Sequence, residues 1–170
     1  MFFDTKRLFA KAQNSQKHLK LLNFGLARMI PFNKPHGIRI QKILENEVTT
    51  FLPYKRSNFN HIKGMHACAL ATLSEFTTGL VLLNSLDAEQ YRIIMQRMEM
   101  DYHYQGKMGV TANFKVTETW LQENVIAPLV DDESVLVCCE VKTQDIAGNH
   151  ISTGNVYWQV KDWKKVKTKT

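Results

Sequence analysis

The stretch that decides the fold is Asn60-His-Ile-Lys-Gly-Met-His-Ala-Cys-Ala-Leu-Ala-Thr-Leu-Ser-Glu75. A polar loop leads into a long and almost uniformly apolar segment, and one carboxylate, Glu75, stands in the middle of that segment. A carboxylate is costly to bury and rarely lacks a partner or a function in such a place. The sequence therefore puts the candidate site here.

The apolar part of this stretch predicts one long helix over residues 66–84. Its span 67–83 is the best membrane-spanning candidate in the chain, but it contains Ser74, Glu75 and three threonines. We therefore interpret it as the buried core helix of a globular domain. Helical geometry places Glu75 in line with a face of mostly small residues. That face comprises Cys68, Ala71, Thr72, Thr78, Gly79 and Leu82.

Hydrophobic periodicity predicts the other elements. Apolar residues at three- and four-residue steps predict a helix over residues 5–30, which Pro31 ends. We interpret this helix as packed on the domain; a membrane-surface helix is the alternative, because lysines line its polar side. A short helical or irregular piece is expected at 119–127. Strands are predicted at 37–45, 47–54, 97–104, 110–117, 134–145 and 150–161, the last two joined by a turn at Ala147-Gly148-Asn149.

The order of these elements is helix, two strands, one long apolar helix and four strands. From Arg97 onward the strands alternate between apolar and polar residues, so the sheet has one apolar face that must be covered. Among the predicted elements, helix 66–84 alone is long and apolar enough to cover it. The sequence therefore predicts an α+β domain in which a curved antiparallel sheet wraps a central helix.

Composition and charge limit the classes of function. The chain has 170 residues, 44% of them hydrophobic and 22% charged, which suits one globular domain. The net charge is +6, with cationic residues concentrated towards both ends. No zinc-finger spacing or RNA-binding signature accompanies them, so we expect no nucleic-acid partner.

The three cysteines form no disulfide framework, which indicates reduced thiols. Adjacent Cys138 and Cys139 should point to opposite faces of a strand, and Cys68 is expected in the core. No signal peptide is recognised at the start of the sequence. We therefore expect a cytoplasmic protein without an integral membrane segment.

A set of residues along the chain resembles a known family. Asn60 precedes His66 by six residues, the small Ala67 follows the histidine, and the acid Glu75 stands nine residues after it. The run 102–109, Tyr-His-Tyr-Gln-Gly-Lys-Met-Gly, resembles the family's aromatic strand end with its turn and glycine. Over about residues 35–162 the chain resembles the hotdog-fold acyl-CoA thioesterase superfamily. It is similar to the phenylacetyl-CoA thioesterases and to a branch described as a domain of unknown function.

The resemblance implies three segments: an N-terminal helical extension over 1–34, a hotdog domain over 35–162 and a basic C-terminal tail over 163–170. It implies an acyl-CoA substrate, a homodimer or tetramer, and no cofactor apart from the coenzyme A of the substrate itself. No metal site is expected, because the spacing of His61, His66 and Glu75 matches no strong metal motif.

The resemblance also implies roles for individual residues. Glu75 would be the general base that activates a water, or the nucleophile, and an apolar cleft would raise its pKa into a useful range. The backbone N–H of Ala67 would donate to the oxyanion at the helix N-terminus. Asn60 would orient the water or the carbonyl, unless it only bonds its own loop backbone. His66 belongs to the same set, although a structural role at the helix start is favoured for it.

Two loop lysines, Lys63 and Lys107, would meet the phosphates of coenzyme A. The chain departs from the family in having Ala67-Cys68 where Gly-Gly is usual and a turn at 105–107 without Arg-Pro-Ala. These departures favour an alternative, a non-catalytic hotdog module that binds acyl-CoA or a fatty acyl chain. A third possibility is a dehydratase-type enzyme that uses His66 and Glu75.

Overall fold

The computed structural model describes residues 5–166. Six strands form one antiparallel sheet in the order β1-β2-β4-β5-β6-β3. The strands are β1 Arg39–Leu44, β2 Glu47–Leu52, β3 Tyr91–Tyr102, β4 Val110–Lys115, β5 Val135–Asp145 and β6 His150–Asp162. The helices are α1 Thr5–Gln13, α2 Gln16–Met29, α3 Ala67–Ser85, α4 Glu118–Leu121 and α5 Pro128–Asp131, with short 3-10 turns at Pro31–His36, Arg56–Asn58 and Trp163–Lys165.

Helix α3 is the centre of the domain. It packs against β2, β3, β4, β5 and β6, so the sheet curves around it. Strand β5 alternates between buried and exposed residues, and its inward side chains Val137, Cys139 and Val141 join the core that α3 fills. The predicted α+β architecture, with a curved sheet around a long central helix, is confirmed.

A close approach at Gly79 seats α3 on the sheet. The ring of Trp158 on β6 lies against Gly79, where a Cβ atom would stand 2.8 Å from the Trp158 Cη2 atom. The indole N–H of Trp158 donates to the hydroxyl of Thr78 over 3.0 Å. Glycine is required here because it leaves room for the ring, and the hydrogen bond satisfies the buried indole.

Two N-terminal helices pack against the C-terminal half of α3 and against β1. The sequence predicted one helix over residues 5–30, and this is wrong, because the chain breaks at Ser15, whose hydroxyl accepts the N–H of His18 over 3.4 Å. Serine caps a new helix in this way. Buried side chains of both helices, Phe9, Ala12, Leu19 and Leu22, pack with Ile40, Ile43, Phe76 and Leu80 in a second apolar cluster.

Strand β3 forms one edge of the sheet. It pairs with β6 and, among residues 5–166, with no other strand. It begins at Tyr91, six residues before the predicted start, and is irregular at Gln96 between the paired Met95 and Arg97. Tyr102, near its end, is 47% exposed although it lies on the predicted apolar side. This edge is therefore accessible beside the N-terminal part of α3.

The remaining segments differ from prediction in detail. The helical piece expected at 119–127 extends over 118–131, because Pro128 begins a further helical turn, where its missing N–H is not needed. α3 is long and apolar enough to cross a membrane, but 61% of its most apolar window is buried, as in a core helix. The predicted C-terminal tail begins with the turn at Trp163–Lys165, and residues 167–170 lie outside the described part of the chain.

Candidate active site at the start of the central helix

The loop before α3 is held by Asn60. Its side-chain oxygen accepts the N–H of Gly64 over 2.8 Å and that of Ile62 over 3.1 Å. Its backbone N–H donates to the Gly64 carbonyl over 2.9 Å. Asn60 therefore hydrogen-bonds its own loop backbone, which is one of the two roles that the sequence analysis gave for it. Its amide nitrogen makes no hydrogen bond to any residue in 5–166 and remains available at the loop surface.

A second asparagine, which the sequence analysis missed, ties this loop to the domain. Asn58 is buried, and its amide donates to the carbonyls of His36 and Pro53 over 2.9 and 2.8 Å. Its side-chain oxygen lies 3.0 Å from the His36 ring nitrogen, and its own carbonyl accepts the His66 N–H. Nothing in the local sequence pattern distinguishes Asn58 from other loop asparagines, because its partners come from distant segments.

His66 caps α3. Its Nδ1 atom accepts the backbone N–H of Cys68 over 3.1 Å, which satisfies one of the free donors at the helix start. The structural role favoured for His66 is therefore observed, with a backbone N–H as its partner. Ala67, the first helical residue, keeps its N–H without an acceptor in the described part of the chain. That N–H lies at the positive end of the helix dipole.

A second loop packs against the first. The N–H of Met65 donates to the Gly106 carbonyl over 2.8 Å, and Gly64 lies so close to Gln105 that a Cβ atom would stand 3.0 Å from its Cγ. Lys63 and Lys107, both exposed, thus occupy two adjacent loops next to the start of α3. Lys63 has a positive φ of 59°, which few residues other than glycine adopt. The two lysines that the sequence singled out therefore lie in loops that contact each other.

Tyr102 connects the edge strand to the helix start. Its hydroxyl donates to the carbonyl of Ala67 over 3.1 Å. Its pKa is raised, first by burial of the phenol and then by the nearby Cys68 thiol. The sequence analysis quoted Tyr102 in the family-like motif but gave it no role, because alternation along a strand does not show which helix residue lies opposite.

Glu75 lies two turns into α3 on the same side. Its side chain is partly buried, and burial raises its pKa, in the direction expected from the sequence. Within residues 5–166 its carboxylate accepts no hydrogen bond and forms no ion pair. A desolvated carboxylate without a partner is costly for a purely structural residue, so it indicates a functional group.

The helix face that leads from Ala67 to Glu75 is open. Cys68 is exposed, and Ala71 and Thr72 are partly exposed, whereas Gly79 and the residues that follow on this face are buried. The expectation that Cys68 fills the core is wrong, because in the first turns of α3 the core packs against another face of the helix, at Ala69 and Leu70. Cys138 is exposed and Cys139 buried, as expected for neighbours on a strand.

This arrangement provides an unused N–H at a helix start, a partly desolvated carboxylate and an open surface of small residues between them. Such a set can polarise a carbonyl and activate a water or attack directly. In the described part of the chain, no three His, Cys, Asp or Glu side chains group in a way that would hold a metal ion. The roles of Glu75, Ala67, Asn60 and His66 in a reaction stay predictions.

Comparisons with known proteins agree with this architecture. The family model described as "Domain of unknown function (DUF4442)" matches residues 19–160. A probable thioesterase of unknown function from Pseudomonas aeruginosa superimposes with a TM-score of 0.77 at 20% identity, covering 84% of this chain and 95% of that chain. A search of curated proteins found no match.

Two further solved structures share the fold. A putative thioesterase from Shewanella oneidensis has a TM-score of 0.62 at 18% identity and covers 83% of this chain and 95% of that chain. A thioesterase from Haemophilus influenzae has a TM-score of 0.66 at 11% identity and covers 85% and 90%. At these identities the likeness shows the fold that the sequence predicted.

Proposed function

Because the chain belongs to the DUF4442 family and is a hotdog-fold, thioesterase-like domain, we propose that it hydrolyses acyl-CoA thioesters. The observation that carries this proposal is the carboxylate of Glu75, partly buried and without a partner, on the same open helix face as the unused N–H of Ala67. Thioester hydrolysis needs a base or nucleophile and a donor to the developing oxyanion, and these two groups supply both.

The reaction can be written from these groups. Glu75 removes a proton from a water, and the water oxygen bonds to the thioester carbon while the carbonyl oxygen gains negative charge. The N–H of Ala67 donates to that oxygen. The C–S bond then breaks, the thiolate takes up the proton from Glu75, and a carboxylic acid and free coenzyme A leave. In the nucleophile version the Glu75 oxygen attacks first, the C–S bond breaks and coenzyme A leaves as a thiolate; water then hydrolyses the resulting anhydride to the carboxylic acid and free Glu75 carboxylate, and the proton released goes to the thiolate.

The spacing of the two groups favours a site shared by two copies of the chain. Glu75 stands eight positions after Ala67 on the helix, a rise of about 12 Å, which is too long for direct attack on a carbonyl held by the same chain's N–H. Two antiparallel α3 helices that cross at Ala71 would place Glu75 of each copy opposite Ala67 of the other. The small side chain of Ala71 permits close approach, and the free edge strand β3 ends at Tyr102, which bonds the Ala67 carbonyl. We therefore propose a homodimer, alone or within a tetramer.

The loops suggest how coenzyme A would be held. Lys63 and Lys107 are exposed on adjacent loops at the helix start, where phosphates would meet both cations and the positive end of α3. The free amide nitrogen of Asn60 lies in the same loop and can donate to the thioester or the attacking water. The physiological compartment in this proposal is the cytosol, where the acyl-CoA substrate and the three reduced thiols are both expected.

One observation favours a second candidate, a non-catalytic module that binds acyl-CoA. Ala67 and Cys68 both expose side chains at the position where the substrate carbonyl would approach. These two side chains leave less room for the thioester carbonyl than two glycines would. A dehydratase is disfavoured, because the Nδ1 atom of His66 is already engaged by the Cys68 N–H.

A release assay separates these candidates. Purified protein is incubated with a panel of acyl-CoAs of increasing chain length, and free thiol is measured; an enoyl-CoA in the same panel is tested for hydration. Hydrolysis of at least one acyl-CoA that depends on Glu75 supports the proposal. Binding of an acyl-CoA by calorimetry without thiol release would replace it with the binding module, and hydration would replace it with the dehydratase. Light scattering should give a particle of at least twice the 19.7 kDa chain.

A further inference from the structure

The charge of the chain is concentrated in one segment. Residues 5–44 contain nine of the 22 lysines and arginines and none of the 16 aspartates and glutamates. This segment therefore carries a formal charge of +9, although the whole chain carries +6. Such an asymmetry indicates a polyanionic partner for this part of the surface.

The same segment exposes several large apolar side chains. Leu21, Phe24, Met29 and Phe32 are 60%, 57%, 64% and 66% exposed, and they follow one another along α2 into the turn after it. We call these four residues the α2 stripe. Three of the four also belong to the wall of a groove of about 360 Å³ that is lined mainly by α2. Several large exposed apolar side chains grouped around one groove are unusual on a monomeric surface and mark a contact site.

Cations lie among the apolar residues of the α2 stripe. Lys17, Lys20 and Arg28 are exposed on α2, and none of them pairs with a carboxylate in residues 5–166. The Arg28 guanidinium lies 4.5 Å from the centre of the Phe24 ring. By helical position Lys17, Lys20 and Arg28 share one face of α2 with Leu21 and Phe24, while Met29 lies to the side of that face, so a partner that binds there meets both cations and apolar side chains.

The fold holds this surface rigidly outward. Asn23, on the opposite side of α2, donates to the Ile40 carbonyl over 2.9 Å and accepts the Ile40 N–H over 2.7 Å. Leu19 and Leu22 are buried in the cluster shared with α1, β1 and α3. No rearrangement is needed to present the stripe, because the apolar inner face of α2 is already used in packing.

We propose that the α2 stripe docks the protein on an anionic lipid bilayer, with α2 lying in the membrane surface. Apolar side chains would enter the boundary between headgroups and acyl chains, while Lys17, Lys20 and Arg28 meet lipid phosphates. A second copy of this chain fits less well, because it would bring two +9 segments together. Nucleic acid fits less well, because large aliphatic side chains occupy the centre of the surface. This inference does not depend on the proposed catalytic site.

Vesicle flotation tests the proposal. The full chain is mixed with phosphatidylcholine vesicles that contain or lack phosphatidylglycerol, at low and high salt. We expect binding to the anionic vesicles that weakens with salt, and little binding to the neutral ones. Neutralising three cations in K17Q/K20Q/R28Q should weaken binding about 10²-fold, at roughly fivefold per cation. The matched control K115Q/K142Q/K164Q changes total charge equally, elsewhere on the surface, and should bind nearly as well as wild type.

A second pair of variants tests the apolar part. F24S/F32S should lose anionic-vesicle binding, whereas L136S/I146S, which removes two exposed apolar side chains far from α2, should keep it. Both pairs replace exposed residues and should keep the wild-type melting temperature. Equal binding to neutral and anionic vesicles, or none to either, overturns the proposal. Loss of oligomer mass in F24S/F32S without any vesicle binding also overturns it and assigns the stripe to contact between copies.

Discussion

Glu75→Gln is the perturbation that most directly probes the candidate site. Glutamine keeps the size of the side chain and removes both the negative charge and the ability to accept a proton at neutral pH. Loss of general-base assistance typically costs 10²–10⁴ in rate, so kcat for thioester hydrolysis should fall at least about 10²-fold, or about 2.7 kcal/mol in the barrier. The KM should change little, because the carboxylate acts on the transition state and the loops bind coenzyme A.

The structure also fixes the sign of the stability change. Burial raises the pKa of Glu75 above its value in the unfolded chain, so ionisation of Glu75 opposes folding as pH rises. No partner loses a hydrogen bond in the variant, since no residue in the described part of the chain hydrogen-bonds the carboxylate. E75Q should therefore melt at or above the wild-type temperature at neutral pH. The difference in melting temperature between E75Q and wild type should vanish below pH about 4.3, where the Glu75 carboxyl is protonated in the folded and the unfolded protein.

The assay measures thiol release and thermal melting for wild type, E75Q and a control. E123Q alters an exposed glutamate elsewhere and should match wild type in both measurements. In wild type, kcat/KM should fall with decreasing pH through the raised pKa of Glu75, because the base must be ionised. A fully active E75Q, or one that unfolds at neutral pH, would refute the reasoning and make Glu75 structural.

Three further predictions follow from neighbouring contacts. Ala67→Pro removes the unused N–H at the first helical position, where proline is tolerated. The rate of hydrolysis should fall about 10²-fold while the melting temperature stays nearly unchanged, and the control Ala67→Gly, which keeps the N–H, should stay active. Charge reversal of Lys63 or Lys107 to Glu should weaken coenzyme A binding in calorimetry, more at low salt than at high salt, and unchanged affinity in both would remove their phosphate role. Gly79→Ala places a Cβ atom 2.8 Å from the Trp158 ring and should destabilise the fold by about 1–3 kcal/mol in denaturant titration; an unchanged midpoint would contradict the close approach.

Much of the fold follows from local patterns. The apolar run 67–83 and the alternation of the later strands predict a helix with a sheet curved around it. They do so because each pattern shows which side of its helix or strand is buried. The helix break at Ser15 was missed by the sequence analysis, because apolar residues continue across it at three- and four-residue spacing. The single capping serine is what starts the second helix. The early start of β3 was missed because Ile94 and Met95 lie exposed on an edge strand and break the alternation.

The candidate site was predictable only in part. The loop-to-helix stretch and Glu75 stand out because an acid in an apolar helix is rare. The neighbours that shape the site come from segments distant in sequence: Tyr102 bonds the Ala67 carbonyl across 35 residues, and Asn58 reaches His36 across 22. The exposure of Cys68 depends on which face of α3 the core covers, which helical spacing alone does not reveal.

The central claim is thioester hydrolysis at a site that two copies of the chain share. Coexpressed E75Q and A67P chains, purified as mixed dimers through two different tags, test it most directly, since each variant alone should be inactive. If Glu75 of one copy acts with Ala67 of the other, each mixed dimer has one intact site and should show about half of the wild-type activity per dimer. Mixed dimers as inactive as the two parent variants would contradict the shared site.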